Sequence, residues 1–560
     1  MILNLTLKRR VCPLRTSTWL IWTQVPWSAR FRLGPSTRRL SGHRLSTRSR
    51  RCGSTPTSFD MRWTLPERRN VLFLMTDQHR VDTLRCYGND AIQTPNLDRI
   101  GAEGTRFDRF YTPTAICTPA RASLMTGQHP FRHGMLFNPE RSGGAQSEIP
   151  DHVGMLPAPL RAAGYNVGHV GKWHIGRERG PEYYGMDGEH LPGALNPFDH
   201  PSYQRWLADS AHPPFAVTDA EFGVAPNGSG RGHLLAGRLR QPVEATMEWF
   251  LTERATDLLK RYGADHHRDG RPFWLTCSWF GPHLPYLIPD KYYDLYHPAD
   301  VPLPPSMAET FDGKPEVQRR YSEYWSADAL GSERWRKLIA VYWGYVTMID
   351  HCVGMLLDTL EELDLTHNTA VVFTADHGEF TGAHRLHDKG PAMYEDIYRI
   401  PALFRVPGMP AQSRNEFASL VDIAPTILDL AGLPPMQPAD GRSLLPLLRG
   451  EQVTDWPKQF VAEFHGHHFP YSQRMIRDER YKLVFNPESS NELYDLRDDP
   501  HELHNVYQAP TYARIRERLE RGLYRELVDR ADPAYSWMSY MSAVGEDRAP
   551  DVDGIADRVS

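Results

Sequence analysis

The chain has 560 residues, 40% of them hydrophobic and 24% charged, an ordinary globular composition that excludes a disordered, collagen-like or disulfide-scaffold protein. At roughly 150 residues per domain this length suits two to four domains, or one large domain with a satellite. Residues 1–60 hold 12 of the 64 basic residues and one of the 69 acidic ones, so the remainder carries a net charge of −16, a poor basis for non-specific nucleic-acid binding. No uncharged apolar run reaches about 18 residues, which argues against a transmembrane helix.

The first sixty residues are rich in Arg, Ser and Thr and lack apolar periodicity, as transit peptides and disordered arms do. Their apolar stretch, Trp19–Trp27, is interrupted by Thr23 and Gln24 and makes a weak secretory core, and Arg9-Arg10 lacks the hydrophobic continuation of a twin-arginine signal. The segment is read as an unstructured extension, or as sequence ahead of a true start at Met61. A cytoplasmic location is expected, with a secreted or periplasmic one as the alternative if the segment is a signal.

The body opens with Asn70–Met75, an apolar run that reads as a buried parallel strand. Thr94 as N-cap and Pro95 at the first helical position start a helix that closes at Gly104. A second helix over Met155–Ala163 stops at Gly164 and gives way to a strand over Tyr165–Val170. Phe273–Phe280 reads as another buried strand, Trp335–Leu363 as a long helix, and Thr369–Thr374 as a strand that runs into Asp376-His377. Residues 185–240 and 297–335, rich in Pro, Gly and His, read as long insertions that wall a pocket.

This alternation predicts an α/β fold: a large, doubly wound mixed sheet flanked by helices over residues 61–455. After Gly450 the texture changes. Short strands at Gln459–Phe464 and Tyr481–Asn486, followed by Glu492-Leu-Tyr-Asp495 and a helix near Ala513–Val528, suit a small C-terminal α+β domain over 456–560 with a short antiparallel sheet. In doubly wound sheets ligands gather at the carboxyl ends of the strands, the rim where Asp77-Gln78, His283 and Asp376-His377 fall.

Cysteine spacing gives no disulfide framework and no zinc knuckle: Cys12 and Cys52 lie in the tail, and Cys86, Cys277 and Cys352 read as small core residues. Cys117 differs. In Ala115-Ile-Cys-Thr-Pro-Ala-Arg121-Ala-Ser-Leu-Met-Thr-Gly127 it opens a helix beside a guanidinium, where a thiolate is favoured. Cysteine phosphatases place five residues between Cys and Arg; only three intervene here. The string resembles the signature of the type I sulfatases of the alkaline phosphatase superfamily, in which the Cys is oxidised to formylglycine. Gly164-Tyr-Asn-Val-Gly-His-Val-Gly-Lys172-Trp-His174 resembles their second signature, with Val167 where Ser or Thr is usual. On an extended segment Lys172 and His174 would alternate onto one face and converge on one anion.

The resemblance implies that Asp77, Gln78, Asp376 and His377 hold one divalent metal, with Ca²⁺ expected and Mn²⁺ or Mg²⁺ as alternatives, since imidazole is a less usual calcium ligand. Gln78 and His377 depart from the commonest sulfatase pattern and resemble the phosphonate monoester hydrolases of the same superfamily. The resemblance further makes His283 the leaving-group acid and Lys389 the second sulfate-binding lysine beside Lys172. His384, His387 and Asp388 read as rim or specificity residues. Resemblance runs from about Asn70 to about Val506, including Asn491–Leu496.

The implied function is hydrolysis of a sulfate monoester, with a preference for a carbohydrate sulfate because the expected rim is polar. Hydrated formylglycine from Cys117 attacks sulfur, Arg121 supports the diol, and His174 takes the proton that releases sulfate. Phosphonate monoester or phosphodiester hydrolysis is the alternative, since those esters carry the same single charge. A catalytically silent, metal-dependent anion binder is a second alternative. The implied partners are a small sulfated substrate and a formylglycine-generating enzyme, with neither nucleic acid nor a membrane span.

Overall fold

The computed structural model describes residues 68–140, 146–191, 197–225 and 230–541. The reading of residues 1–60 as an extension or a signal lies outside them.

Eight strands form the main sheet: β1 Asn70–Thr76, β2 Thr105–Phe107, β3 Asn166–Gly171, β4 Asp187–Gly188, β5 Phe273–Ser278, β6 Thr369–Ala375, β7 Ala402–Arg405 and β8 Gln412–Arg414. Their spatial order is β8-β2-β7-β6-β1-β5-β3-β4. The central strands β6, β1, β5 and β3 are parallel, in a register that sets Thr76 beside Ala375, Met75 beside Ser278 and Gly171 beside Ser278. Strand β7 is antiparallel to β6 and makes the sheet mixed.

Apolar runs are what such strands require, because both faces are covered. Val71, Phe73 and Met75 of β1 pack with α2 (Cys117–Thr126), α3 (Pro157–Ala162) and α7 (Ile423–Leu430). Leu72 and Leu74 point the other way, toward α1 (Pro95–Glu103), α4 (Met247–Asp269) and α6 (Gly331–Glu362). The period-two alternation of side chains thus gives each strand two buried faces and the sheet two helical layers. By length and composition α6 could cross a membrane, but 83% of its most apolar window is buried in the fold.

Several sequence expectations are corrected. Thr94 sits at the N-cap of α1, yet its hydroxyl accepts from the Arg85 amide at 3.1 Å and donates to Asp98 at 3.2 Å. The first-turn amides of Asn96 and Leu97 are capped instead by the Asp350 carboxylate of α6, at 3.2 and 2.8 Å. Strand β3 ends at Gly171, before Lys172 and His174. Cys277 and Cys352 are core residues, whereas Cys86 is half-buried. The two insertions carry more structure than their composition suggests: a hairpin of Val217–Val224 with Arg231–Leu239, and α5 (Glu316–Trp325).

The C-terminal sheet is antiparallel and four-stranded: β9 Phe460–Gly466, β10 Pro470–Arg477, β11 Tyr481–Phe485 and β12 Glu492–Asp495. Val461, Ile476, Leu483 and Leu493 on one face pack against Leu519, Leu523 and Leu527 of α8 (Ala513–Arg530). On the other face Phe460, Ala462, Phe464, Met475 and Tyr494 join the main core. This sheet is therefore continuous with the large domain, and the tip of its β9–β10 hairpin reaches residues that follow β6.

Candidate functional site

The carboxyl ends of the four central strands supply one rim. Asp77 and Gln78 follow β1, Asp376 and His377 follow β6, Ser278 ends β5, and Lys172 follows β3. The first turn of α2 brings Cys117 to the same place, so Asp77, Asp376, His377 and Cys117 each offer an atom within 4.8 Å of the others. All four are buried. Cys117 Sγ lies 3.2 Å from His377 Nε2 and 4.0 Å from Asp77 Oδ1.

Arg121, one helical turn after Cys117, points down at the strand ends. Its Nη2 donates to Asp77 at 2.8 Å, its Nε to Asp376 at 2.9 Å, and its Nη1 to Lys172 O and Ser278 Oγ at 2.8 and 2.9 Å. The guanidinium therefore ties together the ends of β1, β6, β5 and β3. Lys172 Nζ meets Asp77 Oδ2 at 2.6 Å. Gln78 accepts from Lys389 Nζ at 2.9 Å, donates through Nε2 to Glu379, and has φ of 62°. Its backbone amide donates to Asp376 at 3.0 Å.

Three histidines complete the site. His377 Nδ1 donates to Gly378 O at 2.9 Å, which orients the ring with Nε2 toward Cys117. His283 Nε2 lies 3.0 Å from Lys389 Nζ and 3.9 Å from Asp77 Oδ1. His174 has φ of 51°, and its Nε2 pairs with Glu140 at 3.1 Å. Lys172 and His174 do converge on Cys117, but through a left-handed turn after Gly171 rather than by strand alternation.

The electrostatics follow from this crowding. Burial raises the Cys117 thiol, but Lys172, Lys389 and His377 outweigh it and hold the group well below the usual thiol value. Burial and Cys117 work against charge on Asp77, yet Lys172, His283 and Arg121 keep it ionised. Burial and the Asp77 charge push Asp376 up. Burial opposes charge on His377, but Asp376 and Cys117 overcome it and push it up to about 9.

The ten residues given catalytic, substrate or metal roles from the sequence lie together around this rim. Three further groups at the site had no motif: Glu140 on His174, Glu379 on Gln78, and Ser278 on Arg121. Each acts through a partner more than 30 residues away, so spacing along the chain could not reveal it. His384 and His387 are corrected as rim residues, for both are buried. His384 lies 2.7 Å from Glu309 and stacks on Tyr394, while His387 packs among Tyr286, Trp325 and Trp335.

Asp77, Asp376, His377 and Cys117 form a buried group able to hold a divalent cation, with Nε2 of the imidazole turned toward the others, whereas the Gln78 amide oxygen accepts from Lys389 Nζ. An ammonium pair and an imidazole around Cys117 suit an anion at the same place.

The family model described as Sulfatase matches residues 69–433, and that of the N-sulphoglucosamine sulphohydrolase C-terminal region matches residues 382–529. The chain is 30% identical over 525 residues to the multifunctional alkaline phosphatase superfamily protein PehA of Trinickia caryophylli, covering 84% of this chain and 95% of that one. It is 27% identical over 524 residues to an N-acetylglucosamine-6-O-sulfatase of Bacteroides thetaiotaomicron, covering 81% and 85%. The crystal structure of the phosphonate monoester hydrolase of Agrobacterium radiobacter superposes with a TM-score of 0.69 at 25% identity, covering 83% of this chain and 96% of that one.

Proposed function

The chain belongs to the sulfatase family, hydrolases of sulfuric esters with the alkaline-phosphatase-like fold, and from that premise we propose that it cleaves a sulfate monoester with a formylglycine made from Cys117. The observation that carries this reading is the position of Cys117. It is buried at the first turn of α2, 3.2 Å from His377 Nε2, and ringed by Lys172, Lys389 and His174. Cys117 Sγ stands where the formylglycine hydroxyl would stand.

Asp77, Gln78, Asp376 and His377 would hold one divalent metal, Ca²⁺ first and Mn²⁺ or Mg²⁺ next; bound there, it favours the ionised form of a neighbouring hydroxyl. Arg121 acts by fixing Asp77 and Asp376 rather than by touching the diol, since its donors are directed at those carboxylates. Lys172 and Lys389 balance charge on the sulfuryl oxygens, each charge-assisted hydrogen bond contributing about 1.5–3 kcal/mol. His283, on the Lys389 side, delivers the proton to the leaving alcohol oxygen. His174, oriented by Glu140, takes the proton of the second hydroxyl as sulfate departs and the aldehyde returns.

A second reading rests on one specific observation: the Gln78 and His377 pair, together with similarity to a phosphonate monoester hydrolase. Phosphonate monoesters and phosphodiesters carry the same single charge as sulfate esters, so the same cradle accepts them. Similarity to an N-acetylglucosamine-6-O-sulfatase favours a sulfated sugar among the sulfate esters.

The test is the mass of the tryptic peptide containing Cys117, from protein made with a formylglycine-generating enzyme. An aldehyde is expected, with turnover of 4-nitrophenyl sulfate that chelation abolishes and Ca²⁺ or Mn²⁺ restores. An unmodified thiol despite competent machinery overturns the reading and leaves a silent anion binder. Faster turnover of a phenylphosphonate monoester than of sulfated sugars and aryl sulfates selects the second reading.

A further inference from the structure

The site reaches into the C-terminal sheet through a pair that the mechanism above does not use. Asp388 precedes Lys389 and is buried, with φ of 66°, a left-handed conformation sparsely used outside glycine. One carboxylate oxygen, Oδ1, lies 3.0 Å from Lys389 Nζ. The other, Oδ2, lies 3.3 Å from His467 Nε2, 3.5 Å from Tyr321 Oη and 4.0 Å from His468 Nε2. Tyr321 also donates to the Lys389 carbonyl. His467 and His468 occupy the tip of the β9–β10 hairpin, and His468 packs on the rings of Tyr321 and Tyr324.

We propose that Asp388 and His467 are positioning residues for Lys389: His467 of the C-terminal sheet holds Asp388, and Asp388 holds the Lys389 ammonium over Gln78 and His283 and cancels one positive charge, matching the cradle to singly charged esters. The inference rests on the sulfatase reading of the site. Lysine is a flexible point charge on a four-carbon stem, so a fixed anion-binding ammonium needs a partner beside it. Asp388 supplies that partner at the cost of a strained backbone, and a strain of this kind persists where the surroundings over-determine it. Three groups from two other elements do so: His467 and His468 of the hairpin, and Tyr321 of α5.

The charge consequence is separable from the positional one. Removing the Asp388 charge while keeping its shape leaves Lys389 uncompensated, which favours a doubly charged ester over a singly charged one. Asn tolerates the left-handed conformation as Asp does, so Asp388→Asn keeps the backbone. For His467, Gln can place a nitrogen donor near the Nε2 position, whereas Leu cannot.

The experiment uses the full-length, formylglycine-bearing protein and reads steady-state kinetics on 4-nitrophenyl sulfate and 4-nitrophenyl phosphate, with the affinity for inorganic sulfate measured by calorimetry. His467→Leu is expected to raise KM for the sulfate ester and weaken sulfate binding by about tenfold, with kcat within about threefold; His467→Gln restores both. Asp388→Asn is expected to shift the kcat/KM ratio toward the phosphate ester by about tenfold or more. Equal effects of the Leu and Gln variants overturn the positioning role. An unchanged ester ratio in Asp388→Asn overturns the charge-matching role. A wild type that turns over neither ester, yet loses sulfate affinity in His467→Leu and regains it in His467→Gln, sinks the hydrolase reading while the pair stands.

Discussion

Two clusters of buried charge lie along the same stretch of chain, and they differ in what they leave open. Around Cys117, two carboxylates, two cationic groups and His377 are drawn together, with Asp77 and His377 turned to one sulfur and Arg121 and Lys172 holding the carboxylates beside it. Around Glu309, a second cluster is closed on itself. Glu309 binds both Lys314 and His384, Lys314 also donates to Tyr394 Oη at 3.0 Å and Glu502 O at 2.6 Å, and Asp396 meets His384 at 3.5 Å and Arg80 at 2.8 Å. Both clusters shift the ionisation of their members: burial opposes charge on His384, but Asp396 and Glu309 raise it, just as Asp376 raises His377. A perturbed ionisation therefore fails to separate the two. What separates them is a reactive atom at the focus, present in the first and lacking in the second.

The sharpest way to break that contrast is to remove the focus. Cys117→Ala is expected to lower kcat/KM by about 10⁴-fold or more while the melting temperature moves by less than about 3 °C, since the packing loss is one small side-chain group. Cys117→Ser adds a second readout. Its hydroxyl can attack sulfur but has no second hydroxyl through which to expel sulfate, so intact-mass spectrometry should detect a persistent sulfated serine. Turnover comparable to wild type in either variant removes Cys117 from the mechanism.

The closed cluster should respond in the opposite way. Among the described residues, Lys314→Met leaves Glu309 with only His384 as a charged partner in a fully buried setting, and breaking such a pair costs about 3–5 kcal/mol. Urea unfolding should report that loss, with kcat within about threefold for the protein that remains folded. Between these extremes stands Arg121→Lys. A single ammonium cannot bridge both carboxylates and reach Ser278, so activity should fall about 10²-fold together with metal affinity. Metal content measured on dialysed protein checks this, and undiminished metal affinity shows that Arg121 is dispensable for holding the carboxylates.

The sequence disclosed the parts of this molecule whose determinants are local. Strands β1, β5 and β6 were legible because a strand buried on both faces must be an apolar run, and Asp77-Gln78 and Asp376-His377 were legible because polarity resumes where such a run ends. Cys117 and Lys172 were legible through local strings. Strands β2 and β7 were not, because three or four residues leave no pattern, and β10 begins at Pro470 with polar residues interleaved. The turn at His174 hides behind a segment that alternates like a strand. Asp388 and His467 lie 79 positions apart, and Gln78 and Glu379 lie 301 apart, so only the fold brings them together.

The cap on α1 offers the finest test of the same contrast, because among the described residues it is a buried carboxylate with no ion-pair partner. Asp350 accepts from the amides of Asn96 and Leu97 and from the Asn96 side chain, and burial pushes its carboxyl up to about 7 even though those hydrogen bonds pull it down. Its ordinary unfolded value is about 3.9. Below about pH 4 the group is protonated in both states and contributes no pH dependence. Between about pH 4 and 7 the unfolded chain releases its proton and the folded one keeps it, so stability falls as pH rises; above about 7 both are ionised and the dependence ends. Asp350→Asn should carry a fixed cost of about 1–2 kcal/mol from the donor it leaves unmatched. It should also abolish this slope, so that the gap between variant and wild type narrows by at least about 1 kcal/mol between pH 5 and 7.5. Urea midpoints at the two pH values measure it. Parallel curves mean that Asp350 is ionised throughout, in which case α1 is capped by a charge that burial in α6 does not suppress.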